Sequence, residues 1–231
     1  MSLNKQEQLI RLNKKMLACS QCVLRPPRVD DASPRVEAGE TCTQVVPGEG
    51  PAEAEIMFIG EGPGQKEDEL GRPFVGAAGK FLDEMLENIN LKREEVYIAN
   101  VVKCRPPGNR DPLPEEVESC WPWLLEQIKI IDPKLIVTLG KHSLERFLPA
   151  QKISQIHGKA LRREIPGVGK RILYALYHPA AALYNGAMRG VLISDFKKIP
   201  AVLEAAKKPK EFPVINSPGF ETEVDKQERL F

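Results

Sequence analysis

The chain has 231 residues, 42% hydrophobic and 28% charged, with a formal net charge of +1. That composition belongs to a globular protein with one good core and excludes a disordered or low-complexity chain. No apolar run approaches the roughly 18 to 20 residues that cross a bilayer, and the first residues carry no apolar signal core, so the expectation is a cytoplasmic protein with no membrane attachment.

In chain order, residues 5–18 have the period of an amphipathic helix, with Leu9, Leu12 and Met16 on one face. This helix runs into Cys19-x2-Cys22, and residues 24–53, rich in Pro, Gly and acidic residues, read as loop. Residues 56–60 read as a short buried strand that stops at the turn Gly60-Glu61-Gly62-Pro63-Gly64. Further strands are expected at 96–101, 135–139 and 172–177, the last ending on His178-Pro179. Helices are expected at 77–90, where Phe81, Leu82, Met85, Leu86 and Ile89 form a stripe, and at 114–130, 141–148 and 188–206. From Lys207 the chain has three Pro and little periodicity, so one domain over 1–206 and an extended tail over 207–231 are expected. Strands alternating with helices predict an α/β fold of three layers, αβα, around a four-stranded, mostly parallel sheet. In such sheets ligands sit at the carboxyl edge, which is where Glu61 and His178 fall.

Two compositional features remain. Between Lys141 and Arg171 there are eight Lys or Arg and two Glu, a local net of +6 that suits either a solvated surface or contact with phosphates. The five cysteines fall at 19, 22, 42, 104 and 120. Cys19-x2-Cys22 has the shape of half a metal site, and Cys104-x15-Cys120 supplies a second pair. Four thiolates suit a structural zinc or an iron–sulfur cluster. The second pair is too wide for a zinc-ribbon knuckle, which favours iron–sulfur, and Cys42 is a spare or an alternative ligand. A redox pair is disfavoured, because Cys19-x2-Cys22 lacks the strand-to-helix context of that chemistry.

Four elements then line up with both cysteine pairs. They are Gly60-Glu61-Gly62-Pro63-Gly64, Gly71-Arg72-Pro73-Phe74-Val75-Gly76, the run from Asn100 through Lys103-Cys104-Arg105-Pro106-Pro107, and His178-Pro179-Ala180-Ala181. In order and spacing this set resembles a family 4 uracil-DNA glycosylase, the iron–sulfur branch of that superfamily, over roughly residues 10–205. The resemblance implies hydrolytic excision of uracil from single- or double-stranded DNA by a monomer, and a structural 4Fe-4S cluster on Cys19, Cys22, Cys104 and Cys120. It implies that His178 donates to uracil O2, and that Glu61, with Glu67 six residues on, positions water or stabilises the cationic sugar. Asn100 matches the family's uracil reader and Phe74 its stacking aromatic, while Gly62, Pro63 and Gly64 shape the backbone facing the base. The segment Ala181, Leu183 and Tyr184 matches the loop that enters the minor groove, with Leu183 or Tyr184 as wedge, and the basic stretch containing Arg162 and Arg163 precedes it.

The link between Cys22 and Thr43 is longer than the family's usual one, which bears on the role of Cys42. A related branch traps DNA covalently through a His-containing loop after the second strand. Here that region, from Arg105 to Pro112, has no histidine, so ordinary turnover is expected. The last residues, with Gln227, Leu230 and Phe231, resemble the core of a sliding-clamp-binding peptide. Two rival readings stand beside the enzyme. One is a non-catalytic DNA-binding or clamp-tethered module on the same fold, disfavoured by Glu61, Asn100 and His178 occurring together. The other is a nucleotide-binding enzyme using the turn 60–64 as an anion loop, disfavoured by the absence of P-loop and dinucleotide fingerprints.

Overall fold

Near-continuous apolar runs form most of the sheet, because strands covered on both faces have no polar side to present. In the computed structural model, which describes residues 3–25 and 42–208, these are β1 (Ile56–Gly60), β2 (Tyr97–Asn100), β3 (Leu135–Leu139) and β5 (Gly169–Leu176). The sheet order is β2-β1-β3-β5-β4, with β1–β2, β1–β3 and β3–β5 parallel. The expected sheet of four strands is therefore five. The addition is β4 (Ala160–Ile165), which pairs antiparallel with β5 at the edge. It was hidden because Arg162, Arg163 and Glu164 mask the alternation. Its inward side chains are Leu161, Arg163 and Ile165, and a charged edge strand protects against unwanted pairing.

The helices are α1 (Lys5–Leu17), α2 (Gln65–Leu70), α3 (Ala77–Glu87), α4 (Pro114–Ile131), α5 (Lys141–Phe147), α6 (Ile153–Ile156), α7 (Ala181–Tyr184), α8 (Gly186–Phe196) and α9 (Ile199–Ala206). The helix expected over 188–206 is two, α8 and α9, because Pro200 lacks an N–H and is tolerated only in a helix's first turn. Alternation along the strands splits the core. Met57, Ile59, Ile136 and Leu173 pack with Trp121, Leu124 and Ile128 of α4, whereas Phe58, Val137 and Tyr174 pack with Phe81, Leu82 and Phe196 of α3 and α8.

Helix α1 opens with a capping box, Asn4 Oδ1 accepting from Glu7 N and Glu7 Oε2 from Asn4 N, each at 2.9 Å. Its Leu12 and Met16 close a smaller core with Leu24, Cys42, Val45 and Cys104. Among the described residues no helix is long and apolar enough to cross a membrane. The Pro-rich segment 26–41 and the tail bearing Gln227, Leu230 and Phe231 lie outside the described residues.

Candidate active site

The parallel register brings four strand ends level. Gly60 pairs with Asn100, and Leu139 with Leu176. Beyond them open Glu61, Gly140 and His178, around the crevice between β1 and β3 where connections leave in opposite directions. This is the expected ligand position in an open α/β sheet. A cleft of about 510 Å³ lies there, and Glu61, Gly62, Pro63, Gly64 and Glu67 line one side of it. Phe74, Asn100, His178, Leu183 and Tyr184 complete it.

Close packing fixes the reading end. The Phe74 ring and the Asn100 amide press on Gly60 so tightly that a Cβ there would lie 2.4 Å from Asn100 Oδ1 and 2.6 Å from Phe74 Cζ. Any side chain at position 60 would push both away. Asn100 is buried, and its Oδ1 has no hydrogen-bond partner. A buried acceptor left unmet costs on the order of 1–3 kcal/mol, so this oxygen is poised for a donor that arrives with a ligand. Lys103 holds the same strand end from behind. Its Nζ donates to Asn100 O and to Gln127 Oε1, both at 2.7 Å, and burial pushes its pKa down to about 7.

Phe74 is held in the left-handed region, φ +50°, a conformation that costs an aromatic residue on the order of 1–2 kcal/mol. The turn persists because it is gripped from two sides. Glu67 Oε1 accepts from Val75 N at 2.8 Å and Gly76 N at 2.7 Å, while Arg93 donates to the carbonyls of Pro73 and Phe74. The Phe74 ring lies 5.6 Å from the His178 ring at 29°.

His178 has a defined tautomer. Its Nδ1 accepts from Ala180 N at 3.2 Å, so the ring proton sits on Nε2. Burial pushes its pKa down to about 4 against an opposing pull from Glu67, and the ring is neutral at physiological pH. It offers an uncharged N–H donor. Glu61 stands opposite, its pKa raised by burial, pulled back by His142, and raised further by Asp111 and Glu145.

Leu183 and Tyr184 stand at the mouth, with Tyr184 91% exposed. Ala181 starts α7, its N–H donating to His178 O at 2.9 Å, and does not line the cleft. Arg162 and Arg163, expected beside DNA, do not line the cleft. They pair with Ile172 and Arg171 at the start of β5, at the opposite edge of the sheet from His178. The basic run 141–171 is distributed over α5, α6, β4 and the start of β5, and none of its residues lines the cleft.

At the far side of α4, Cys19, Cys22, Cys104 and Cys120 line one small cavity, with Cys42 hydrogen-bonded to Cys104. None of the five is in a disulfide. Burial raises Cys22, and raises Cys120 to about 12; Cys104 is raised by the Cys42 hydrogen bond and by burial. Among the described residues, no three sulfurs lie within 4.8 Å of one another. One tetrahedral zinc, at about 2.3 Å from each sulfur, would draw them to about 3.8 Å apart. The donors are soft thiols, the set that suits zinc or an iron–sulfur centre.

Four groups escaped sequence reading: Lys103, Arg93, Asp111 and His142. His142 follows the end of β3 as Glu61 follows β1, so the carboxyl-edge rule applied to every strand would have found it. Arg93 and Asp111 carry no local signal.

The sequence profile of the Uracil DNA glycosylase superfamily matches residues 47–204. The chain is 43% identical over 219 residues to the Type-4 uracil-DNA glycosylase of Sulfurisphaera tokodaii, covering 90% of this chain and 89% of that one. It is 45% identical over 199 residues to the Archaeoglobus fulgidus protein of the same name, covering 84% and 92%. Against the Saccharolobus solfataricus protein, also a Type-4 uracil-DNA glycosylase, identity is 48% over 166 residues, covering 69% and 76%.

Proposed function

Because the chain belongs to the uracil-DNA glycosylase superfamily, in its type-4 branch, we propose how its cleft cuts uracil from DNA. The enzyme hydrolyses the bond between deoxyribose C1′ and uracil N1, releasing uracil and leaving an abasic site. The observation that carries the residue assignment is the buried, unpartnered Asn100 Oδ1 in one cleft with a neutral His178.

The deoxyuridine leaves the stack and enters the cleft, its ring against Phe74. Asn100 Oδ1 accepts from uracil N3–H and its amide nitrogen donates to O4. As the C1′–N1 bond breaks, its electron pair moves onto the base, and charge gathers on O2. His178 Nε2–H donates to that oxygen, a preorganised contact worth about 10²- to 10³-fold in rate. The sugar becomes electron-poor at C1′. The Glu61 carboxylate stabilises it and orients the water whose oxygen bonds to C1′, the water's proton passing out through the carboxylate. Glu67 takes the place of a positioning residue, since its Oε1 is already occupied by Val75 N and Gly76 N. Leu183 and Tyr184 fill the gap left in the duplex.

Cys19, Cys22, Cys104 and Cys120 hold a 4Fe-4S cluster, which supplies a cross-link between the N-terminal segment and residues 104–120. The excision moves no electrons, so its place is structural. The tail with Gln227, Leu230 and Phe231 captures a sliding clamp, and loss of clamp binding on deleting residues 227–231 tests that.

The test of the reaction uses end-labelled oligonucleotides with one uracil, or thymine at the same place, followed by hot alkali. Strand scission at uracil alone, abolished in Asn100→Ala and reduced at least 100-fold in His178→Ala, supports the assignment. Full activity in either variant overturns it.

A further inference from the structure

Behind Glu61 lies a second cavity, of about 250 Å³, whose wall toward the active-site cleft includes Glu61 itself and Pro112. Val101, His142, Glu145, Glu118 and Arg146 line the rest. One oxygen of Glu61, one of Asp111 and a ring nitrogen of His142 lie within 4.8 Å of one another. The three come from the carboxyl ends of adjacent strands. Glu61 follows β1, His142 is in the first turn of α5 after β3, and Asp111 is in the loop after β2. That loop is ordered independently: Arg110 donates to Asp111 O at 3.0 Å and to both oxygens of buried Glu116.

Resting on the excision mechanism above, we propose that His142, anchored by Asp111, is a positioning residue that holds Glu61 ionised and turned toward the sugar. The electrostatics need such a group. Glu61 is half-buried, and its partial burial, Asp111 and Glu145 all push its pKa up, toward a protonated form that neither stabilises a cationic sugar nor takes a proton from water. His142 is the group that pulls the other way.

Its ring is fixed for that purpose, Nε2 lying 3.2 Å from Asp111 Oδ2 and Nδ1 3.7 Å from Glu145 Oε2. The other charges facing this cavity are already engaged, since Glu145 also pairs with Lys141 at 3.7 Å, and Arg146 pairs with Glu118 and covers Trp121. His142 thus reaches Glu61 from the second cavity and does not line the cleft. It orders and charges the carboxylate without touching DNA.

The experiment is a single-turnover pH–rate profile on uracil-containing oligonucleotide for the wild type, His142→Gln, His142→Lys, Glu61→Gln and the Glu61→Gln/His142→Gln double variant. An opposite charge within about 4–6 Å of a carboxylate moves its titration by at least about one pH unit. In His142→Gln the acidic limb therefore moves up by about one unit, the alkaline plateau changes less than 3-fold, and substrate KM stays within 2-fold. His142→Lys restores the limb. Glu61→Gln abolishes it, and in that background His142→Gln has no further effect. The side chain of His142 is 35% exposed, so these variants fold, and matching thermal midpoints check it.

A limb that stays in place in His142→Gln overturns the proposal. So does a loss equal at every pH, or one that persists undiminished in the Glu61→Gln background. Absence of uracil release by the wild type overturns the excision mechanism itself, a result separate from either of these.

Discussion

Replacing Glu67 with alanine removes the acceptor for both Val75 N and Gly76 N. Each hydrogen bond to a charged group contributes about 1.5–3 kcal/mol, so the turn loses about 3–6 kcal/mol of support. The Phe74 conformation at φ +50° stores on the order of 1–2 kcal/mol that relaxation releases. Arg93 still holds the carbonyls of Pro73 and Phe74, so the turn opens part of the time and the core stays folded. A net loss of about 3 kcal/mol in the closed turn lowers kcat/KM about 100-fold at about tenfold per 1.4 kcal/mol. Glu67→Gln keeps an acceptor but no charge, and falls about 10-fold. The assay is uracil release by Glu67→Ala, Phe74→Ala and the double variant. If Glu67 acts by presenting Phe74, the two losses do not add, and the double variant resembles Phe74→Ala. Additive losses would show that Glu67 acts on the reacting atoms, and would refute the positioning role.

Three more outcomes are expected. His178 binds protons less readily folded, at about 4, than its ordinary 6.5. The unfolded chain therefore binds more protons between those values, and stability rises with pH across that window, by roughly 3 kcal/mol. Urea unfolding at pH 4.5 and pH 7 measures it, and His178→Gln should lack that part of the change. Asn100→Ala deletes the unpartnered acceptor, so thermal stability holds or rises while uracil release falls at least 100-fold; a parallel loss of both would assign Asn100 to the fold. Iron analysis of anaerobically purified protein should find iron lost in Cys22→Ser, Cys104→Ser and Cys120→Ser and retained in Cys42→Ser. Loss of iron in Cys42→Ser would put Cys42 among the ligands.

The central strands were legible because burial on both faces leaves a plain apolar run, as in residues 56–59 and 135–139. The edge strand β4 was not, because two of its outward residues, Arg162 and Glu164, are charged and one inward residue, Arg163, is too. Within 188–206, Pro200 is by itself a signal that divides the segment, since Pro is tolerated only in a helix's first turn. At the site, Glu61, Asn100 and His178 were readable as residues at strand ends. Phe74, Glu67 and Arg93 form one device that no local pattern reveals, since Arg93 is 19 and 20 residues from the carbonyls it grips. The basic run shows a different limit. Sequence proximity says nothing about which edge of a sheet a charge reaches, and β4 runs away from the cleft.

A structural centre on the thiols, in an enzyme that moves no electrons, would make physical sense in the segment 100–104. Asn100, the proposed reader of the base, and Cys104 are four residues apart, and the polar one of the three buried residues between them is Lys103. Its N–H donates to Cys120 Sγ at 3.3 Å, and its Nζ grips Asn100 O and Gln127. Gln127 in turn donates to Pro47 O and to Tyr97 OH. A centre that ties Cys104 and Cys120 to the N-terminal segment would therefore also fix the end of β2. Selecting uracil over cytosine requires the Asn100 amide to face one way. Its orientation depends on a strand end that cannot twist, and the Lys103–Gln127 bridge joins that strand end to the thiols.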